Sequence, residues 1–161
     1  MSSYATSSSA FIADTMLGKL ARWLSLLGYD IIYAGTIQDH ALVIRARETQ
    51  RIILTRDTRL SEITRHHPLF LIKSTDVWEQ LREVIAAYPL DFPRTAFSRC
   101  QYCNALIEEV PKTEVERLLP PLVAQTQHKI YRCPSCQKLY WEASHVEHIK
   151  ALLKSHLDID V

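Results

Sequence analysis

The chain has 161 residues, of which 47% are hydrophobic and 23% charged, and this length suffices for one domain with a small appendage. Its formal net charge of +1 excludes a general electrostatic attraction to nucleic acid or membranes, so any attraction must come from local patches. No apolar run reaches the roughly 18 residues of a membrane span, and the Ser-rich start lacks the features of a secretory signal. We therefore expect no membrane partner, a cytoplasmic location, and a disordered leader over residues 1–10.

Strand-like and helix-like patterns alternate from Phe11 to Tyr88. Four short apolar runs are typical of buried strands: FIA, DIIYA, RIIL and LFLIK. Each run is followed by a segment that we interpret as a helix: TMLGKLARWLSLLG, DHALVIRARETQ, TRLSEITRHH and STDVWEQLREVIAAY. This alternation predicts an α/β fold, in which a parallel sheet carries helices on both faces.

Local signals predict where these helices begin and end. Thr15 and Asp39 are expected to cap the first two helices, because their side chains can accept hydrogen bonds from free backbone N–H groups. Gly28 occupies the place where the first helix should end. Ser74 and Thr75 stand at the start of the fourth helix.

The pattern changes after Tyr88. The segment PLDFPRTAFS contains two prolines and no periodicity, which indicates a linker or a domain edge. Short segments around two cysteine pairs follow, and HVEHIKALLKSHLDIDV at the end indicates a modest amphipathic helix. We therefore expect an α/β domain over residues 11–90, a linker over 91–98, a small cysteine-containing domain over 99–145 and a C-terminal helix or tail over 146–161.

Two cysteine pairs, CQYC and CPSC, are separated by 29 residues and predict one zinc site. Each pair can present two thiolates from one turn, and two such turns close a tetrahedral site. A redox pair or inert buried thiols are the alternatives, but a redox pair normally occurs singly. His145 and His148 are expected to be surface residues, because four cysteines fill the tetrahedron. The expected ligands are Cys100, Cys103, Cys133 and Cys136.

Three aspartates follow the predicted strands. Asp14 comes after the first strand, Asp57 just beyond the third, and Asp39 opens the helix after the second. If the strand order is second, first, third, fourth, the order reverses between the first and third strands, and these carboxylates converge there. Crowded carboxylates suit Mg²⁺ or Mn²⁺. Basic side chains suited to phosphates lie in the same segments: Lys19, Arg22, Arg56 and Arg59.

A second interpretation of these polar residues remains open. Asp39 can be only a helix cap, and Asp57 only a turn residue. The basic side chains can equally form a solvated face with local ion pairs. Asp76 is the one candidate for a fourth acidic ligand, although its place at a helix N-terminus has a simple structural explanation.

The chain resembles the family described as the Mut-seven carboxy-terminal ribonuclease domain, a PIN-like nuclease domain fused to a zinc ribbon. The resemblance covers Phe11 to His148 and is carried by FIADTMLGKLARWLSLLGYD, IILTRDTRL, RCQYCN and YRCPSCQKLYWEASH. It implies that Asp14, Asp39 and Asp57 match the acidic metal site and that the four cysteines match the ribbon ligands. It also implies a role beside the metal site for Lys19, Arg22, Thr55 and Arg56.

The sequence departs from the family pattern at two positions. Ser25 stands where Arg is usual, which predicts a weaker phosphate contact. Ala143 stands where Gly is usual, which affects the turn after Trp141.

The resemblance implies a ribonuclease that uses Mg²⁺ or Mn²⁺ to cut RNA, with the zinc ribbon holding substrate or a partner. One alternative is an RNA- or ribosome-binding protein that keeps the fold without turnover. Another is a phospho-acceptor domain built on Asp57, although a zinc ribbon has no place in that scheme. A third is a toxin controlled by an antitoxin or another protein partner.

Overall fold

The computed structural model of the chain describes residues 9–64, 66–142 and 144–161. The first eight residues of the predicted leader lie outside the described residues, and so does Ala143. Within the described ranges, no helix is both long enough and apolar enough to span a bilayer.

A four-stranded parallel sheet forms the main body of the protein. Its strands are β1 Ala10–Ala13, β2 Asp30–Tyr33, β3 Ile52–Thr55 and β4 Leu69–Leu71. The order across the sheet is β2-β1-β3-β4, with every pair parallel. The strand order therefore reverses between β1 and β3, as expected, and the predicted α/β class is confirmed.

Helices cover both faces of this sheet. The described helices are α1 Gly18–Leu26, α2 Asp39–Glu48, α3 Thr58–Thr64, α4 Val77–Ala87, α5 Phe92–Thr95, α6 Lys112–Val115, α7 Pro121–Thr126 and α8 Ser144–Leu157. Apolar side chains of α1, α4 and α8 pack on one face, and those of α2 and α3 pack on the other.

Alternation along the strands supplies both cores. Phe11 and Ala13 of β1 belong to the core under α1 and α4, whereas Ile12 belongs to the core under α2, because successive strand residues point to opposite faces. The C-terminal helix contributes to the first core through Leu153, which is fully buried. The predicted terminal helix is thus an integral part of the main body.

The helix N-termini differ from the predicted caps. A 3-10 turn, Thr15–Leu17, precedes α1, and its N-cap is Asp14, whose Oδ1 accepts the Met16 N–H at 2.9 Å. Thr15 is not the cap because Asp14 has the extended backbone that a cap requires, while Thr15 already lies in the turn.

At α2 the N-cap residue is Gln38, so Asp39 is the first helical residue and makes no capping hydrogen bond. Asp39 faces the positive end of the helix dipole instead. At α4 the cap is Asp76, which accepts the N–H groups of Trp78 and Glu79; Ser74 and Thr75 lie just before it.

Gly28 ends α1 as predicted. The Tyr29 N–H bonds the Leu24 carbonyl and the Gly28 N–H bonds the Ser25 carbonyl, the two hydrogen bonds of a Schellman motif. Gly28 has a φ of 97°, and a Cβ there would lie 2.3 Å from the Thr95 carbonyl oxygen. Only glycine satisfies both constraints.

The predicted linker is bound to the end of α1. It contains α5, and its Thr95 hydroxyl donates to the Leu27 carbonyl while the Phe97 N–H donates to the Leu26 carbonyl. Residues 91–98 are therefore part of the packed structure.

Residues 99–142, which we call the cysteine module, form a second and smaller unit. Its antiparallel sheet has the order β5-β6-β7, with β5 Glu108–Val110, β6 Ile130–Arg132 and β7 Leu139–Trp141. Its described core holds only four buried apolar residues: Val110, Val115, Leu119 and Ile130. So small a core contributes little stability by burial alone.

Candidate metal centre and acidic sheet edge

The structure brings the four cysteines together. Their Sγ atoms all lie within 4.8 Å of one another. Cys100 and Cys136 are 3.5 Å apart, and Cys103 and Cys133 are 3.4 Å apart. A tetrahedral zinc ion with bonds of about 2.3 Å would require sulfur–sulfur separations of about 3.8 Å. The four thiols are therefore placed to bind one metal ion of this kind.

The two cysteine turns have the same backbone design. In the first, Cys100 accepts the Asn104 N–H and donates to the Ala105 carbonyl. In the second, Cys133 accepts the Gln137 N–H and donates to the Lys138 carbonyl. Asn104 and Gln137 both have a left-handed φ, of 60° and 62°. Each C-x-x-C segment thus folds into a tight turn that presents both thiols on the same side.

Hydrogen bonds to sulfur stabilise the ionised form of Cys100, one of the two buried cysteines. Burial opposes ionisation of Cys100, but the Tyr140 hydroxyl and the N–H groups of Cys103 and Tyr102 outweigh it and lower the pKa of this thiol to about 6. The Tyr140 hydroxyl accepts the Gln101 N–H and lies 3.0 Å from Cys100 Sγ. A metal ligand must be deprotonated, so this environment favours metal binding.

Crowding has the opposite effect on Cys136. The Lys138 N–H favours its thiolate, but burial and the three neighbouring thiols outweigh this and raise the pKa of Cys136 to about 11. Four thiols this close cannot all ionise without a cation among them, which again fits a metal-binding site.

The cysteine cluster stands alone as a preformed ligand group. Across the described ranges, no other set of three or more His, Cys, Asp or Glu side chains gathers closely enough to hold an ion. His145 and His148 are exposed at the start of α8, outside the cluster.

Asp14 is buried at the carboxyl end of β1, where it is 7% exposed. Its Oδ1 accepts the Met16 N–H, and its Oδ2 accepts the Thr55 hydroxyl. Thr55 ends β3 and is fully buried, so this hydrogen bond joins the two strands at which the strand order reverses.

Asp57 lies two residues beyond β3 and is linked to Asp14 through Thr55. The Asp57 N–H donates to Thr55 Oγ1 at 2.9 Å, while that hydroxyl donates to Asp14. Arg59 binds both Asp57 carboxylate oxygens, at 3.2 Å through Nε and 3.0 Å through Nη2. The Arg59 side-chain and backbone hydrogen bonds lower the pKa of Asp57.

Asp39 is exposed at the first position of α2. Asp57 is the main cause of the raised pKa of Arg59, and the charge of Asp39 adds to the effect. Asp14 and Asp57 follow the carboxyl ends of β1 and β3, and Asp39 opens the helix that follows β2, so the parallel topology puts all three at one edge of the sheet. They do not form a compact group like that of the cysteines.

The predicted basic residues differ in their surroundings. Lys19 and Arg22 are exposed on α1 and make no ion pair with any described residue. Arg56 is half-buried, and its Nε is buried without a hydrogen-bond partner among the described residues. The Arg59 side chain is 82% exposed and pairs with Asp57. Ser25, where the family pattern has Arg, is buried and accepts a hydrogen bond from Asn104.

Asn104 is a structural residue that the sequence analysis missed. Its Oδ1 accepts the Ile31 N–H at 2.9 Å, and its Nδ2 donates to the Tyr29 carbonyl at 3.1 Å and to Ser25 at 2.8 Å. The amide therefore pairs with the free edge of β2 as a neighbouring strand would, and joins the cysteine module to the main sheet. An Asn directly after C-x-x-C was the available signal, because Asn tolerates the left-handed backbone of that position.

A family model described as the Mut7-C RNAse domain matches residues 9–153, nearly the whole chain. No curated protein and no solved structure matches the chain.

Proposed function

The chain belongs to the Mut7-C RNAse domain family, and from this premise and the acidic sheet edge we propose that it is a metal-dependent ribonuclease. The reaction is hydrolysis of RNA phosphodiester bonds at an Asp-held Mg²⁺ or Mn²⁺ ion. The observation that carries the proposal is the link from Asp14 through Thr55 to Asp57, at the reversal of strand order where ligand clefts open in such sheets.

The donor set at this edge fits a hard divalent cation. Asp14, Asp39 and Asp57 supply oxygen ligands only, and Mg²⁺ is usually held by one or two carboxylates, with water and substrate phosphates completing its shell. An open acidic edge therefore suffices without a preformed cage. The bound ion would supply charge stabilisation and an activated water for phosphodiester cleavage.

The basic residues around the edge have separate roles in this proposal. Arg59 pairs with Asp57 from an exposed position, so it can release the carboxylate when a cation arrives and bind a phosphate instead. The buried Nε of Arg56 has no hydrogen-bond partner among the described residues, and it could donate a hydrogen bond to a phosphate oxygen. Lys19 and Arg22 would bind phosphates further along the RNA chain.

We assign a structural role to the cysteine cluster, with zinc as its ion. Four thiolates leave no open position for water, so the site cannot activate a nucleophile in the way of a catalytic zinc. The small core of the module needs such an ion for stability.

The first experiment measures cleavage of a labelled RNA oligonucleotide with Mg²⁺ or Mn²⁺ and after chelation, with zinc content measured in parallel. We expect cleavage only with the added divalent ion, and loss of activity of about 100-fold or more in Asp39→Asn. Asp160→Asn, an exposed acid in the C-terminal tail, is the matched control and should remain active. Full cleavage by the Asp39→Asn protein, or by a chelated protein that retains zinc, contradicts the proposal.

RNA binding without turnover is the second candidate function. It is favoured by the two hydrogen bonds with which Arg59 holds Asp57, and by Ser25 in place of the family's Arg. The same assay distinguishes the two, since a binding protein would retain the oligonucleotide intact at every divalent-ion concentration.

A further inference from the structure

A cleft of about 840 Å³ lies between α1 and the cysteine module. Its volume is in the upper part of the range of about 300–1,000 Å³ that is typical of ligand clefts. On α1 it is lined at positions 19, 22, 23 and 26, a single helix face. The rest of the lining comes from the segments 94–107, 131–142 and, on α8, 145–152. Because Lys19 follows closely on the turn that Asp14 caps, the cleft begins beside the acidic edge.

The lining of this cleft is basic in a chain whose net charge is only +1. It contains one acidic residue, Glu142, and five basic residues: Lys19, Arg22, Arg94, Arg99 and Lys150. Three of the five are already paired: Lys150 with Glu142, Arg94 with Asp91 and Arg99 with Asp30. Lys19 and Arg22 remain without an ion pair among the described residues, which leaves two positive charges on the α1 wall for an anionic ligand.

Aromatic rings are interleaved with these charges. Five of them line the cleft: Trp23, Phe97, Tyr131, Tyr140 and Trp141. Tyr131 and Tyr140 are direct partners on adjacent strands, so they share one face of the module's sheet. Phe97, Tyr131 and Tyr140 are only half-buried, and none of them belongs to the described apolar cores. Burial in a core therefore does not explain the presence of Phe97 and Tyr131, while Tyr140 also contacts Cys100 through its hydroxyl.

Phe97 also has a left-handed backbone, with a φ of 59°. A bulky side chain rarely adopts this conformation, because its Cβ crowds the backbone, and glycine would fit at lower cost. Strained residues of this kind are concentrated at binding sites. Phe97 therefore places its ring on the wall of the cleft at a cost in backbone conformation.

We propose that this cleft binds single-stranded RNA and leads it to the acidic edge, an inference that rests on the ribonuclease function proposed above. Unpaired bases stack on aromatic rings while basic side chains follow the phosphate backbone, and this cleft offers both. Double-stranded RNA keeps its bases stacked on one another and cannot use the rings. The cleft therefore selects unpaired segments of RNA, and cleavage at the acidic sheet edge takes place next to them.

The test measures binding of a fluorescently labelled single-stranded RNA and of the same sequence in a duplex, by anisotropy, without added Mg²⁺ or Mn²⁺. Phe97→Gly removes one ring and relieves the backbone strain, so the protein should fold at least as well as the unmodified chain. We expect single-stranded RNA to bind this variant roughly tenfold more weakly, with an unchanged salt dependence. Arg22→Ala should weaken binding and reduce the slope of log K against log salt by about 0.7.

Arg45→Ala is the matched control. Arg45 is exposed on α2, which covers the opposite face of the sheet, and it has no ion pair with any described residue. Its loss should leave RNA affinity and salt dependence within error.

Two results would overturn the cleft proposal. One is Phe97→Gly protein that binds single-stranded RNA as tightly as the unmodified chain, and the other is equal affinity for single strands and duplex. Either result can occur while divalent-ion-dependent cleavage is intact, in which case the ribonuclease function stands and only the cleft is refuted. Absence of cleavage alongside ring-dependent binding would refute the nuclease and leave the cleft standing.

Discussion

The cysteine cluster and the acidic sheet edge are both candidate cation sites, but they are built in opposite ways. The four thiols are already gathered, with every Sγ within 4.8 Å of the others. The carboxylates of the edge are spread out and held by donors of the protein itself, Asp14 by Thr55 and Asp57 by Arg59. The first arrangement suits an ion that stays bound, and in the function that we propose the second suits an ion that arrives with substrate.

The two sites also differ in the size of the apolar cores that support them, and the larger cores lie under the acidic edge. The main sheet has two described cores, of fourteen and seven buried residues, whereas the cysteine module has one of four. Burial alone can hold the sheet together, so the acidic edge needs no cation for its fold. We propose that the module depends on an ion at the cysteine cluster for stability. Changes at the cluster should therefore affect structure, and changes at the edge should affect chemistry.

Cys133→Ser is expected to have the largest effect on structure. It removes one ligand from a closed tetrahedron, and structural zinc contributes on the order of 10 kcal/mol to the folding of small domains. We expect less than one zinc per chain and rapid proteolysis between residues 99 and 142, while the parallel sheet remains folded. Metal analysis and limited proteolysis measure both effects.

Ser135→Ala, within the same cysteine turn, is the control and should retain one zinc. A Cys133→Ser protein whose module resists protease as well as the unmodified chain would show that the module folds on its small core alone.

Asn104→Gly should have an intermediate effect, because it separates the two regions without damaging either site. The variant loses the amide that pairs with Ile31 and Tyr29, and glycine keeps the left-handed backbone. Leaving these strand-edge groups unpaired should cost about 1–3 kcal/mol of unfolding free energy. Chemical denaturation measures the loss, and zinc content should not change.

Asn104→Asp keeps the acceptor for the Ile31 N–H but places a carboxylate oxygen against the Tyr29 carbonyl oxygen, so it should also be destabilising. An Asn104→Gly protein as stable as the unmodified chain would mean that the side chain does not clamp β2 as the structure indicates.

Arg59→Ala is expected to have the smallest effect on stability. Exposed ion pairs contribute little, so the free energy of unfolding should stay within about 0.5 kcal/mol. The pKa of Asp57 should rise, since the hydrogen bonds from the Arg59 side chain are among the causes that lower it. Binding of Mn²⁺ should become tighter, because the carboxylate no longer has an internal partner. Carbon-13 NMR titration and calorimetry report these two quantities, and weaker Mn²⁺ binding would contradict our view of Arg59.

Much of this comparison could be predicted from the sequence, because its signals are local. The period of the apolar runs predicts the parallel sheet, and the spacing within CQYC and CPSC predicts the gathering of the cysteines. Gly28 predicts the end of α1 because the hydrogen bonds that end this helix join residues only three to five positions apart.

Features that depend on distant contacts could not be predicted. The role of Asp14 as a link between two strands depends on Thr55, 41 residues away, and that of Asn104 depends on Ile31, 73 residues away. The docking of α8 through Leu153 is of the same kind, since its periodicity indicates a helix but not what it packs against.

Asp57→Asn gives the most direct test of the central claim, that the edge supplies the chemistry and the cluster supplies the structure. The Asp57 N–H donates to Thr55, and its side chain accepts the Arg59 backbone N–H and pairs with the exposed Arg59 guanidinium. An Asn side chain can accept the same backbone N–H, so the substitution should leave the fold and one zinc per chain intact. Cleavage of RNA in Mg²⁺ or Mn²⁺ should fall by at least 100-fold, because a metal ligand is lost. A folded, zinc-loaded Asp57→Asn protein that cuts RNA at the unmodified rate would contradict the account.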